Sequence, residues 1–179
     1  MHNIYLTGMI GAGKTTVGRV IAQRLGWEFG DLDDAMFKDA GKDFRQVVAD
    51  EGWLGFRVRE YRICKAFAAR QNTVVALGGG TVRYEWNRDV LGGTGVVILL
   101  TAGIDVHADR VRANDRPRVN PGVSIEDDLT TIWTTASDLY LGFADIVYRT
   151  DQGKSVEEEA EELIELLRHH PLLRESLTR

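Results

Sequence analysis

Residues 8–15 read Gly8-Met9-Ile10-Gly11-Ala12-Gly13-Lys14-Thr15, a full match to the phosphate-binding pattern G-x-x-x-x-G-K-[ST]. The flanks carry as much weight as the match. Ile4–Thr7 ahead of it is a short apolar run of strand type, and behind it Val17, Val20, Ile21 and Leu25 recur at helical spacing. A strand, a glycine-rich turn and a helix N-terminus together turn backbone N–H groups inward and aim a favourable dipole at an anion. Lys14 then serves as a point cation for the β- and γ-phosphates, and the Thr15 hydroxyl joins the shell of a Mg²⁺ ion. A nucleoside triphosphate with Mg²⁺ is the implied ligand.

Outward from this loop, further β-type runs stand at Glu28–Asp31, Thr73–Leu77, Val96–Leu100 and Ile146–Arg149. The runs at 73–77 and 96–100 are continuously apolar, as strands covered on both faces of a parallel sheet must be. Between Asp43 and Arg70, apolar residues from Phe44 to Phe67 predict one or two helices. Ser155 with Glu158 forms a capping box that opens a helix with Val156, Ala160, Leu163, Ile164 and Leu167 on one face. The acidic run Glu157–Glu162 reads as mostly a solvated face near that helix N-terminus. Strands alternating with helices predict an α/β sandwich around a mainly parallel sheet.

The chain has 179 residues, about one domain, and 44% hydrophobic with 27% charged residues argues against disorder. Lys plus Arg is 22 against 27 for Asp plus Glu, so the net charge of −5 disfavours non-specific binding to nucleic acid or anionic membranes. The N-terminus has no basic signal-peptide region, and the longest apolar run, Val96–Leu100, is far too short for a membrane span. A cytoplasmic, soluble, monomeric protein is expected. The single cysteine, Cys64, sits between Ile63 and Phe67 and reads as a buried, inert thiol. His2, His107, His169 and His170 show no metal-ligand spacing and read as bystanders.

None of the five asparagines opens the N-K-x-D motif of a guanine-reading enzyme, and Asp89-Val-Leu-Gly92 does not follow a strand. A small kinase remains. Asp31 and Asp33 close the second strand two residues apart, so both carboxylates are expected on one side of it. Two carboxylates beside a triphosphate are costly unless one meets Mg²⁺ and the other an acceptor hydroxyl. Phe56-Arg57, with Glu60 one turn on, sets a cation by a carboxylate, a pair that alone could be a surface salt bridge. Gly78-Gly79-Gly80 closes the third strand, where ligands lie in open α/β sheets. Arg110, Arg112 and Arg116-Pro117 lead into a loop through Asn120-Pro121-Gly122, which alone could be a polar turn.

Together, in this order, these elements resemble the shikimate kinases from about Ile4 to Leu167. The most specific are Asp31-Leu32-Asp33, Phe56-Arg57-Val58-Arg59-Glu60, Gly78-Gly79-Gly80, Arg116-Pro117, and Leu139-Tyr140 with Ala144-Asp145. The resemblance implies a three-layer α/β/α sandwich with a five-stranded parallel sheet, a P-loop fold of the nucleoside-monophosphate-kinase type with a lid. One kinase domain over 1–167 would carry an acceptor-binding part at 32–62 and a lid at 110–124, followed by a tail at 168–179. The implied reaction is Mg-dependent transfer of the ATP γ-phosphoryl group to the 3-hydroxyl of shikimate, in aromatic amino-acid biosynthesis. Gly11, Ala12, Gly13, Lys14, Thr15, Thr16, Arg110 and Arg116 would bind ATP. Thr15 and Asp31 would serve the metal, Asp31 through water. Asp33 would hold the acceptor hydroxyl and take its proton. Arg57 would pair with the substrate carboxylate, and Gly78, Gly79 and Gly80 would line it. Lys14, Asp33 and Arg116 would be the catalytic set.

The sequence also departs from that pattern. Ala136 and Asp138 stand where an arginine and a proline usually precede the Leu-Tyr pair, and that arginine is normally the second cation on the substrate carboxylate. Arg118-Val119 replaces leucines after the lid proline, Val48 replaces an aromatic wall of the acceptor pocket, and Met36-Phe37 replaces Ile-Glu. Arg118 is the expected substitute cation. The alternatives are a related kinase for another small hydroxylated acceptor, or a nucleotide-binding relative without turnover.

Overall fold

The computed structural model describes residues 2–113 and 122–177. Arg116, Pro117 and Arg118, and with them the middle of the expected lid, lie outside the described residues. Five strands form one parallel sheet in the order β2-β3-β1-β4-β5, with β1 Asn3–Thr7, β2 Glu28–Asp31, β3 Thr73–Ala76, β4 Gly95–Thr101 and β5 Ile146–Arg149. The sheet falls where the apolar runs predict it. Ile4 of β1 lies opposite Val74 of β3 and Val96 of β4, so alternate residues of all three central strands face the same way. Tyr5, Val75, Val97 and Leu99 point into one core, and Ile4, Leu6, Val74, Val96, Ile98 and Leu100 into the other.

Helices cover both faces. On one side lie α1 Lys14–Leu25, α7 Val156–His169 and the short α8 Arg174–Leu177. The other side holds α2 Leu32–Ala40, α3 Phe44–Ala68, α4 Glu85–Leu91 and α6 Ile125–Phe143, with α5 Ile104–Ala113 leading out from β4. α2, α4, α5, α6 and the short α8 add to the three helical stretches expected. The Ser155 box forms in both directions, Glu158 N–H donating to Ser155 Oγ at 3.3 Å and Ser155 N–H to the Glu158 carboxylate at 2.8 Å. Beyond α7, Leu173 is fully buried against the same core.

Two local features aim the functional residues. Gly52 breaks α3 with φ 70° and ψ 175°, a conformation that side-chain-bearing residues rarely adopt. The half of α3 after this break carries Phe56, Arg57 and Glu60. At the end of β2 the expectation for the paired aspartates fails: only Asp31 is in the strand, and Asp33 stands in the first turn of α2. Strand periodicity therefore does not relate them. Asp31 is the α2 N-cap, its Oδ1 accepting from the backbone N–H groups of Asp33 at 3.0 Å and Asp34 at 3.4 Å. Cys64 is buried as expected, and loss of solvent pushes its thiol pKa well up.

Candidate active site

All of the C-terminal strand ends on the β2-β3-β1 side open into one cleft of about 910 Å³. That is near the top of the ~300–1,000 Å³ range for ligand sites, large enough for a nucleotide beside a second small molecule. The cleft is lined by the phosphate loop, Asp31, Asp33, Arg57, Gly78–Gly80 and Arg110, so every described site residue of the sequence reading except Ala136 and Val48 meets there.

The loop crosses from β1 to α1 with Gly8, Gly11 and Gly13 at positive φ. At Gly8 nothing larger fits: a Cβ would lie 2.2 Å from the Leu100 carbonyl oxygen. Lys14 Nζ donates to the carbonyls of Gly8 at 2.8 Å and Met9 at 2.9 Å, which holds the ammonium across the mouth of the loop. At the next residue, Thr15 Oγ1 donates to Asp31 Oδ2 at 2.7 Å. A hydroxyl and a carboxylate in contact beside a phosphate cradle are the oxygen donors a hard divalent cation takes, directly or through its waters. The residues present thus fit Mg²⁺.

His107, without metal-ligand spacing in the sequence, lies beneath this loop in the fold. It is fully buried on α5, and Nδ1 bonds the Ile10 carbonyl at 3.0 Å, while Nε2 has no partner among the described residues. Burial lowers its pKa, with further lowering from the Lys14 and Arg110 cations and only partial opposition from the Ile10 carbonyl. The folded chain therefore holds it neutral, donating from Nδ1. Below its ordinary value of 6.5 the unfolded chain binds a proton that the native chain resists, so stability falls as pH drops through that range. We expect His107→Asn, which keeps a short N–H donor, to flatten the decline. Urea midpoints at pH 7.5 and 5.5 check this, and an unchanged slope would refute it.

At the far end of the nucleotide side, Arg110 is fixed by the Thr150 hydroxyl at 2.8 Å and the Thr150 carbonyl at 2.6 Å, with Gly11 O at 3.3 Å. Glu159 of α7 lines the same end and is 95% buried, unlike its acidic neighbours. Desolvation raises its pKa, partly offset by Arg110 and Lys154. The solvated-face reading of 157–162 misses this residue, because only the packing of α7 shows which side faces inward.

The other side of the cleft is built around Glu60. This carboxylate is 3% exposed and accepts from Arg57 Nη1 at 3.0 and 2.9 Å, Thr81 Oγ1 at 3.0 Å and Asn87 Nδ2 at 3.0 Å. The Arg57–Glu60 pair is thus an interior ion pair, and the surface salt-bridge alternative is wrong. Neither Thr81 nor Asn87 carries a sequence signal. The guanidinium lies over the Tyr84 ring at 4.3 Å and near Phe56 and Trp53 at 4.9 and 5.5 Å. Its Nε is buried without a partner among the described residues. Phe44, Trp53 and Phe56 pack edge-to-face beside it, so aromatic wall is present although Val48 does not line the cleft.

The triple glycine connects the two halves. A Cβ on Gly78 would lie 3.1 Å from Asp33 Oδ1 and 2.9 Å from Thr81 Oγ1, and one on Gly80 would lie 3.3 Å from an Arg57 nitrogen. Glycine therefore lets this strand end touch both the aspartate and the arginine. The Tyr140 hydroxyl donates to the Gly79 carbonyl. Burial pushes the Tyr140 pKa up to about 12, so it remains a donor at any physiological pH. Ala136, one turn earlier on α6, is buried in the core. Among the described residues no group of three or more His, Cys, Asp or Glu side chains forms a metal cluster, and no helix is long and apolar enough to cross a membrane.

Comparison with known proteins agrees with this geometry. The family model described as shikimate kinase matches residues 10–168. The chain is similar to the shikimate kinase of Actinobacillus pleuropneumoniae, at 36% identity over 93% of this chain and 95% of that protein. It is equally similar, 36% over 93% and 96%, to that of Buchnera aphidicola. Among solved structures, shikimate kinase from Acinetobacter baumannii in complex with shikimate superposes with a TM-score of 0.88 at 32% identity, covering 96% of each chain. The shikimate kinase of Bacteroides thetaiotaomicron gives 0.86 at 28% identity, over 93% of this chain and 98% of that one.

Proposed function

This chain belongs to the shikimate kinase family, and we propose that its cleft binds Mg·ATP and shikimate side by side for direct transfer of the γ-phosphoryl group to the 3-hydroxyl. It is an ATP-dependent kinase, a transferase of aromatic amino-acid biosynthesis. The observation that carries the reading is the contiguity of three parts in one cleft: the phosphate loop, Asp33 beside Gly78, and the buried Arg57–Glu60 pair. Another acceptor or a non-catalytic relative is not favoured, since the relatives and structural neighbours are shikimate kinases and Lys14, Thr15, Asp31 and Asp33 are all retained in the cleft.

Phosphoryl transfer leaves the protein mainly positioning and charge neutralisation to do. Backbone N–H groups of Gly11, Ala12 and Gly13, with Thr16 at the helix start, receive the phosphates of ATP. Lys14 neutralises charge on the transferring group. Thr15 and, through water, Asp31 would hold Mg²⁺, which when bound would supply charge neutralisation on the triphosphate. Asp33 accepts a hydrogen bond from the 3-hydroxyl and takes its proton as the new O–P bond forms. Arg57 meets the substrate carboxylate from its aromatic recess, and Gly79 and Gly80 offer N–H groups that no described residue takes up. Arg110 lies along the adenine, and Arg116 closes on the transferring group from the lid. Residues 1–167 serve as one kinase domain, with the acceptor part at 32–62 and the lid at 110–124, and 168–179 as a tail. The enzyme works as a cytoplasmic monomer without nucleic-acid or membrane partners.

The test is a coupled ADP-release assay with Mg·ATP, comparing shikimate with no acceptor and with a panel of hydroxy acids and polyols. Shikimate-dependent turnover is expected; turnover with another acceptor alone would defeat the reading. Asp33→Asn is expected to reduce kcat by ~10²–10⁴-fold, the usual range for a positioned general base, while ATP still binds. A near-normal kcat in that variant would remove Asp33 from the proton path.

A further inference from the structure

We infer that Arg83 is a specificity-determining residue, supplying the second cation for the acceptor carboxylate that the family arginine replaced here by Ala136 would otherwise provide. The inference rests on the shikimate reading above and on the distribution of charge around the cleft. Among the described residues, five cations line it: Lys14, Lys42, Arg57, Arg83 and Arg110. Lys14 and Arg110 stand at the phosphate and nucleotide ends, held by Gly8, Met9 and Thr150. Lys42 is paired with Asp50 at 2.8 Å. Arg57 is the expected carboxylate ligand, but Glu60 accepts twice from the same Nη1, so the pair is close to neutral before any acceptor arrives. Arg57 can still donate to an acceptor carboxylate, but the net positive charge needed to offset that anion's lost hydration must come from a second cation.

Arg83 differs from the other four. It is exposed, it lines the cleft, and no carboxylate among the described residues pairs with it. Its backbone is nonetheless fixed. Arg83 closes the short 3₁₀ turn Thr81–Arg83, its N–H donating to the Gly80 carbonyl at 3.1 Å, and Val82 beside it is fully buried. This turn packs directly against α6, the helix that carries both Ala136 and Tyr140. The Arg83 charge reaches the Tyr140 hydroxyl, where it opposes the effect of burial. A long cation with no carboxylate partner among the described residues therefore stands beside the triple glycine, next to the helix from which Ala136 contributes only a methyl group. Reach and charge both suit a carboxylate that bridges Arg57 and Arg83.

Initial-rate kinetics of the full chain test this, with shikimate and shikimate methyl ester each used as acceptor. Arg83→Met is expected to raise the shikimate KM by at least ~10-fold, the loss of one charge-assisted contact, with the ATP KM unchanged. The preference for the free acid over the ester should fall by a similar factor, and Arg83→Lys should restore most of it. That ratio does not depend on the fraction of folded enzyme, so a stability effect cannot imitate the result. An unchanged acid-to-ester preference in Arg83→Met overturns the inference, as does loss of that preference in Arg118→Met alone. Absence of shikimate turnover by the unaltered chain would overturn the functional reading itself, and this inference with it.

Discussion

Lys14→Ala is expected to lower kcat and kcat/KM together by roughly 10²–10³-fold or more, with the melting temperature little changed. Its ammonium is fixed by the Gly8 and Met9 carbonyls at the loop mouth, so no reorganisation is needed when charge develops on the transferring oxygens. A preorganised charge of this kind counts most in the transition state, which is why kcat falls and not only affinity. The stability cost is small, since Lys14 is itself only half-buried and lines the open cleft. Lys14→Arg should not recover the rate, because a planar guanidinium cannot take the place of a compact ammonium. Steady-state rates at saturating shikimate decide the matter. A kcat close to that of the unaltered chain would mean that the loop binds phosphate without taking part in transfer.

Arg57→Ala is expected to do two things at once, and the structure separates it from Lys14 on this ground. The shikimate KM should rise by at least ~10-fold, as for any lost charge-assisted contact. Stability should also fall by about 3 kcal/mol, the lower end for breaking an interior ion pair, because Thr81 and Asn87 still donate to the stranded Glu60 carboxylate. For a chain of this size that corresponds to a drop of roughly 6–12 °C in melting temperature. Kinetics at a temperature where the variant stays folded, together with a thermal melt, check both parts. Arg57→Ala with a normal melt would contradict the buried pair, and a normal shikimate KM would contradict its contact with the acceptor. The companion Arg57→Lys keeps the charge but loses the planar stacking on Tyr84, so it should recover stability more than affinity.

The residues legible in the sequence are those whose chemistry is tied to local spacing. The phosphate loop and its strand and helix, the five strand positions, the Ser155 capping box and the triple glycine all depend on neighbours within one turn or one strand. Backbone geometry fixes their meaning wherever they occur. Asp33 shows the limit of that logic: its place beside Gly78 comes from a helix turn capped by Asp31, not from the strand period. Resemblance to the shikimate kinases extended the reading to Arg57, whose spacing to Glu60 alone could not tell a solvated pair from an interior one.

The rest depends on contacts between segments far apart in the chain. Only the packing of α4 and of the turn at 81–83 against α3 converts Glu60 into a buried hub with Thr81 and Asn87 as donors. Only the position of α5 under the loop turns His107 from an unremarkable histidine into a neutral support for Ile10. The same holds for Glu159, which differs from its acidic neighbours solely in the direction α7 faces, and for Arg83, without a carboxylate partner among the described residues beside a helix that carries Ala136. The sequence by itself determined the fold class and the phosphate-binding loop, because these rest on backbone conformations written into short motifs, and resemblance in several motifs taken in order extended it to the family. Tertiary structure alone decided which charges are compensated, because burial and pairing arise only when distant segments close around the cleft.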